Sequence, residues 1–154
     1  MLGRTYDNEV CSIARSLEIV GERWSLLIIR NALFAGVTRF GDFQKRLGVA
    51  TNVLTTRLDG FVEAGIMSRN SGSGGVEYHL TDKGRDLRGV LIAFTDWGDR
   101  WQAPAGRPII YRHDDCSGEV HSSIRCDVCG GKPDAVTASK GPGMPEEKWS
   151  HRTD

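Results

Sequence analysis

The 154-residue chain has no excess of charge of either sign, with 20 basic residues against 20 acidic ones. A polyanion is therefore not drawn in by a global field, and any nucleic-acid contact must come from a local footprint. Apolar runs are short, so no segment is long enough to span a bilayer, and no secretory leader is recognisable. A soluble, cytoplasmic protein that engages no membrane is expected. No internal repeat shows. No phosphate-cradling glycine motif, nucleophile with a plausible base or catalytic carboxylate pair stands out, so an enzyme is not expected.

What is present is an ordered series between Phe40 and Leu80. Phe40, Phe43 and Leu47 lie on one face of a helix over Phe40 to Leu47, and Gly48 can take the positive φ that ends it. Thr51 offers an N-cap hydroxyl to a second helix over Asn52 to Ala64, which Gly65 terminates. Ile66 to Arg69 and Val76 to Leu80 read as strands flanking Asn70 to Gly75, a loop rich in glycine and serine that suits a hairpin tip. Helix, turn, helix and hairpin in this order predict a winged helix-turn-helix.

In the second helix Leu54, Leu58, Phe61 and Val62 form an apolar stripe. The opposite face is neutral and polar at its start and acidic at its end, where Asp59 and Glu63 would be repelled by phosphate. A recognition helix presents its first turns to base edges. Thr51, Asn52, Thr55 and Thr56 are therefore the candidates for base readout: Asn pairs with adenine, and Thr donates, accepts or touches a thymine methyl. Arg39, Gln44, Lys45, Arg46, Arg57, Arg69 and Asn70 are the candidates for contacts with the DNA backbone. From Arg39 to Arg69 five basic residues face three acidic ones, a local excess of two.

These motifs, with the stretch from Cys11 to Arg15, Gly21 to Arg30, Arg39 to Phe43, Asn52 to Leu58, Glu63 to Ile66 and Tyr78 to Gly84, resemble the HxlR-type transcriptional regulators. The resemblance covers about residues 11 to 101. It implies a dimeric winged-helix protein in the style of MarR-type regulators, acting on double-stranded DNA, by repression more than by activation. It also draws attention to Cys11, since some relatives use a cysteine there to sense oxidants or electrophiles. Two readings of Cys11 stand open. A helix N-terminus and Arg15 would lower its pKa and make it reactive; alternatively it is a small residue packed at the dimer seam. An oxidant or small-molecule effector fits the first reading.

Flanking helices supply the scaffold. Ile13, Leu17 and Val20 space an amphipathic first helix, and Trp24 to Phe34 is apolar around most of its circumference, as a central core helix would be. Thr81 can cap a last helix in which Leu87, Leu91, Phe94, Trp97 and Trp101 recur at helical spacing. That stripe is more aromatic than one small domain needs. With Ile13 and Leu17 it is the expected homodimer interface, which suits proteins that read two half-sites by symmetry.

Beyond Trp101 the composition changes. Gln102 to Pro108 reads as a linker, Ile109 to Tyr111 and Glu119 to Arg125 as strands, and Ala138 to Asp154 as a flexible tail. The expected division is 1–101 for DNA binding and dimerisation, 102–137 for a small β-rich extension, and 138–154 for the tail. The fold class is α+β and mainly helical. His113-X2-Cys116, nine residues, then Cys126-X2-Cys129-Gly130 resembles a zinc ribbon, with His113, Cys116, Cys126 and Cys129 as a tetrahedral structural set and His121 as a competing ligand. Three thiols in a strand-rich flap, or a thiol–disulfide switch, are the other readings. The competing class for the whole chain is a winged-helix and zinc-ribbon protein-interaction module in the transcription machinery, which the acidic end of the second helix keeps in view.

Overall fold

The computed structural model describes residues 5–7 and 9–149, and its elements run α1 (Ser12–Val20), α2 (Ser25–Ala35), α3 (Phe40–Leu47), α4 (Thr51–Glu63), β1 (Met67–Gly72), β2 (Gly75–Leu80), α5 (Asp82–Arg85), α6 (Leu87–Trp101) and α7 (Glu146–Trp149). Two units result, one of Glu22–Ser123 and one of Met1–Gly21 with Ile124–Asp154. The break falls inside the extension, after Ser123, and not after Trp101.

The larger unit is a winged helix-turn-helix built on one core. Ile28 and Ile29 of α2, Phe43 of α3, and Leu54, Leu58 and Phe61 of α4 are buried together with Ile66, Met67, Tyr78, Leu91 and Ile92. The central role of α2 follows from its apolar circumference, and it packs against α3, α6 and β2. Truncating a side chain such as Leu58 in this core would cost about 2–5 kcal/mol.

The turn between α3 and α4 forms as the glycine at its start requires. Gly48 sits at φ 63° and donates its N–H to the Gln44 carbonyl at 2.8 Å. One detail differs from expectation: the N-cap position of α4 is Ala50, and Thr51 is the first helical residue. The Thr51 hydroxyl accepts from Gln44 Nε2 at 2.7 Å, bridging the two helices. At the other end Gly65, φ 69°, donates to the Val62 carbonyl while Ile66 N–H reaches back to Phe61. This paired arrangement closes the helix with two of its last carbonyls satisfied.

Strands β1 and β2 pair antiparallel from Met67↔Leu80 to Gly72↔Gly75. The ladder therefore continues through Asn70, Ser71 and Gly72, and the turn is only Ser73-Gly74. The expected six-residue tip is shorter because Asn70, Ser71 and Gly72 stay in register with Glu77, Val76 and Gly75. Thr38 and Arg39 add one bridge as a minimal third strand, with Tyr78 N–H donating to the Thr38 carbonyl at 2.7 Å.

Thr81 does cap a helix, accepting from Gly84 N–H at 3.2 Å, but that helix is the four-residue α5, and α6 begins after a break at Asp86. The Thr81 hydroxyl also donates to the Gly65 carbonyl at 2.6 Å. Gly84 lies so close to the α4–β1 turn that a Cβ there would stand 2.2 Å from the Ile66 carbonyl oxygen.

The first half of the extension belongs to this unit. Tyr111 stacks on Phe34 of α2 with ring centroids 4.2 Å apart. The two expected strands are reduced to a single bridge, Arg112↔Glu119, with Val120 N–H donating to the Tyr111 carbonyl. Asp96 of α6 accepts from Ser122 N–H at 2.6 Å and Ser122 Oγ at 2.8 Å, and contacts His121 Nδ1 at 3.0 Å.

In the smaller unit α1 buries Ala14 and exposes Ile13 and Leu17. The expected tail is not featureless. Residues 146–149 form α7, Lys140 pairs with Glu146, and Met144 and Trp149 face Cys11 across an open groove of about 720 Å³. The last part of that expected tail, 150–154, lies outside the described residues.

Candidate nucleic-acid interface

Helix α4 presents Thr51, Asn52, Thr55 and Thr56 to solvent while Leu54, Leu58 and Phe61 anchor its other face. The hydroxyls of Thr55 and Thr56 donate to the carbonyls of Thr51 and Asn52, each at 2.9 Å. Their donor hydrogens are thus spent within the helix, which leaves lone pairs and methyl groups to meet a base edge. Thr51 is partly engaged by Gln44. Asn52 differs from its neighbours, because its side-chain amide has no partner among the described residues. It keeps both donors and its acceptor for the bidentate pattern that adenine offers.

The candidates for backbone contact fall into three groups. Lys45 and Arg46, in the last turn of α3, are exposed and form no ion pair among the described residues. Arg39 and Arg69 are exposed but matched to carboxylates. Arg39 Nη2 lies 3.0 Å from Glu77, and Arg69 Nη1 lies 3.5 Å from Asp59. Such exposed pairs contribute little to stability, and a phosphate could replace the carboxylate. Arg39 also holds the Glu77 carboxyl below its ordinary range, with His79 on the same carboxylate. Gly74 at the wing tip makes room for this guanidinium, since a Cβ there would stand 2.8 Å from Arg39 Nη2.

Arg57 is set apart. Only 21% of its side chain is exposed, its Nε is buried without a hydrogen bond, and it lies 3.9 Å from Glu22. It points into the protomer, away from the face that Asn52 and Thr55 share. Asn70 is exposed on β1 opposite Glu77. The pairing of Asp59 with Arg69 also ties the acidic end of α4 to the base of the wing. The pairing of Arg39 with Glu77 joins residues 38 positions apart, and that of Arg69 with Asp59 joins β1 to α4, so neither is written in local spacing, whereas His79 meets Glu77 as its i+2 neighbour on β2.

Helix α6 exposes Val90, Phe94, Trp97 and Trp101 at 45%, 63%, 57% and 62%. Val90, Ala93, Phe94 and Trp97 line an open apolar groove of about 590 Å³. Leu91 is buried within the protomer and serves the core, whereas Leu87 is half-buried.

Cys11 occupies the N-cap position of α1 and is half-buried. The Arg15 guanidinium is committed to Glu18 at 2.8 Å and to the Glu9 carbonyl at 3.0 Å, so it is not reserved for the thiol. Among the other predicted ligands, His113 Nδ1 lies 3.3 Å from Cys116 Sγ. Backbone N–H groups of Cys129 and Val128 hold the Cys126 thiol below its usual range. His121, the competing candidate, lies against Asp96 with its Nδ1 at 3.0 Å. Among the described residues no three or more His, Cys, Asp or Glu side chains are gathered so as to hold a metal ion, and no helix is long and apolar enough to cross a membrane.

Comparison with known proteins places this geometry. Residues 19–105 match the HxlR-like helix-turn-helix family. The chain is 41% identical over 139 residues to Rv3095 of Mycobacterium tuberculosis (strain ATCC 25618 / H37Rv), itself an uncharacterised HTH-type transcriptional regulator, covering 86% of this chain and 87% of that one. It is similar to the crystal structure of PA1607, a proposed transcription factor, with a TM-score of 0.79 and 37% identity over 88% of this chain and 98% of that one. A second proposed transcription factor, PA1374 of Pseudomonas aeruginosa, superposes with a TM-score of 0.61 and 40% identity over 92% of this chain and 99% of that one.

Proposed function

This chain belongs to the HxlR-like helix-turn-helix family, and from that premise we propose that it works as a homodimer reading an inverted-repeat operator through α4 and repressing the promoter it covers. It is a DNA-binding transcriptional regulator. The reading head is the exposed start of α4, with Asn52 as its base-reading residue. Lys45, Arg46, Arg39, Arg69 and Asn70 seat the domain on phosphates, as residues that position without specifying sequence. Arg57 braces the protomer and leaves the DNA contacts to the others.

One observation carries this reading. Among the described residues the amide of Asn52 has no partner, and it lies on the same exposed helix end as Thr55 and Thr56, while Lys45 and Arg46 of the adjoining α3 form no ion pair. The acidic end of the helix is meanwhile occupied by Arg69. The exposed aromatic stripe on α6 supports the homodimer, since two copies related by a two-fold axis would each bury it. Ile13 and Leu17 on α1 are a second exposed apolar pair for that contact. The protein acts in the cytoplasm, where its DNA is.

For regulation we propose Cys11 as a thiol that reports oxidants or electrophiles, supported by its N-cap position and the open groove beside it. Alkylation of Cys11 should weaken operator binding; unchanged affinity after complete alkylation would remove Cys11 as a sensor. The function itself is tested by selecting random duplex DNA with the reduced protein at low salt. Enrichment of one inverted repeat is expected. Retention of DNA without any enriched sequence would instead favour a protein-interaction module of the transcription machinery.

A further inference from the structure

A cavity of about 280 Å³ lies within the larger unit, where the end of α2, strand β2 and the α5–α6 junction meet. Part of its lining is apolar: Ala32 and Leu33 are half-buried on α2, Val37 follows that helix, and Leu80 ends β2. Tyr78 N–H donates to the Thr38 carbonyl at 2.7 Å, which fixes the loop after α2 to the strand. Arg85 and Arg88 line the cavity from the junction of α5 and α6. No residue of this lining is among the candidates for DNA contact.

The charges around it are one-sided. Among the described residues no aspartate or glutamate lines the cavity. Asp82 accepts from Arg85, and Glu77 is held by Arg39 and His79. Arg85 also donates to the Leu80 carbonyl, so its guanidinium is fixed in place. The Asp82 side chain is 97% exposed, and a pair so open to water neutralises little. Arg88 is exposed and has neither a hydrogen bond nor an ion pair among the described residues. Two guanidiniums three residues apart repel each other unless an anion lies against them.

One feature opposes an anion. The C-terminal end of α2 reaches the cavity at Gly36, and a helix end of that kind carries about half a negative charge. Here it is capped, since Gly36 and Val37 both donate their N–H groups to the Asn31 carbonyl. The full charge of Arg88 outweighs what is left, and low-dielectric walls focus its field into the cavity. A guanidinium fork matches a carboxylate with two parallel hydrogen bonds. The apolar lining calls for an apolar body on the same molecule. At a volume just under the roughly 300 Å³ where pockets for drug-sized ligands begin, that molecule must be small.

We propose that this cavity receives a small organic monocarboxylate, with its carboxylate on the Arg88 guanidinium and its apolar body against Leu33, Val37 and Leu80. Arg85 adds to the positive field from its fixed position. An occupant would touch β2 of the wing and the first turn of α6 at once. The site stands whether or not the chain reads an operator, because its occupancy is measured without DNA.

The test titrates benzoate into the full chain, reduced, free of DNA and in a buffer without other carboxylates, by calorimetry and by methyl NMR. Saturation at one benzoate per chain is expected, with a dissociation constant at or below about 1 mM. The methyls of Ala32, Leu33 and Val37 should shift, and those of Val90 and Ala93 in the α6 groove should not. Arg88→Ala should weaken benzoate at least about tenfold through loss of the charged hydrogen bonds. Because Arg88 is exposed, that variant should keep the parent's thermal stability. Benzamide, which lacks the charge, and acetate, which lacks the body, should each bind at least about tenfold more weakly than benzoate. Absence of saturation up to about 10 mM would overturn the proposal. So would undiminished affinity in Arg88→Ala, benzamide or sulfate binding as tightly as benzoate, or shifts confined to the α6 groove.

Discussion

Replacing Trp97 with alanine separates the dimer from the DNA-reading head, because this side chain does little inside its own protomer. An aromatic side chain offers about 150–250 Å² for burial, and 57% of Trp97 is exposed. Roughly 120 Å² therefore remains for a partner to cover, which at ~25 cal/mol per Å² is about 3 kcal/mol. The two-fold axis of the proposed homodimer counts that loss twice, about 6 kcal/mol in all. Interfaces realise only part of such area, and half of it is still worth about two decades in the dimer dissociation constant. Trp97→Ala should therefore sediment as a monomer at concentrations where the parent protein is a dimer, with at least about a hundredfold rise in that constant. Its thermal unfolding at matched monomer concentration and its binding to a single half-site should change little. Unchanged sedimentation from nanomolar to micromolar protein would refute α6 as the interface. A collapse of secondary structure would instead show that Trp97 belongs to the fold.

Asn52→Ala should cost about 1–3 kcal/mol on the selected operator and much less on random DNA, measured by competitive titration. Lys45→Ala should weaken binding to all sequences alike and lower the salt slope by about one, whereas Arg57→Ala should leave the slope unchanged and lower thermal stability. Gly84→Ala drives a Cβ onto the Ile66 carbonyl oxygen. An overpacking cost of about 1–3 kcal/mol should lower Tm by about 2–12 °C, and an unchanged Tm would refute the close approach. The contact of Asp96 with His121 should depend on pH. Asp96 raises the His121 pKa above its ordinary 6.5, with Glu119 adding to it, so that stabilisation is complete below 6.5 and lost as pH rises through the folded value. Asp96 and Glu119 are shifted down from 3.8 and 4.5, so their contribution is present above those values and lost in stronger acid. Exchange of the Ser122 amide hydrogen, corrected for intrinsic pH dependence, should therefore be most protected between about pH 4.5 and 6.5.

Local chemistry alone determined much of this protein. Phe40, Phe43 and Leu47 marked α3 to its observed ends, Gly48 and Gly65 marked the stops, and the strand-like stretches on either side of the glycine- and serine-rich Asn70 to Gly75 marked the wing, because propensity and periodicity act over a few residues. The exposed start of α4 was legible for the same reason: a buried stripe at helical spacing dictates which residues face outward. Tertiary structure decided the rest. Arg57 turned inward toward Glu22, Arg39 met Glu77 across 38 positions, and Leu91 entered the core while Trp97 stayed outside. The first half of the extension joined the winged helix through Asp96, His121 and Ser122, and the expected strands there shrank to one bridge. Each of these outcomes depends on which surfaces meet after the chain has folded back on itself. Spacing along the chain carries no record of such meetings, since the free energy that selects them comes from burial and pairing between distant residues.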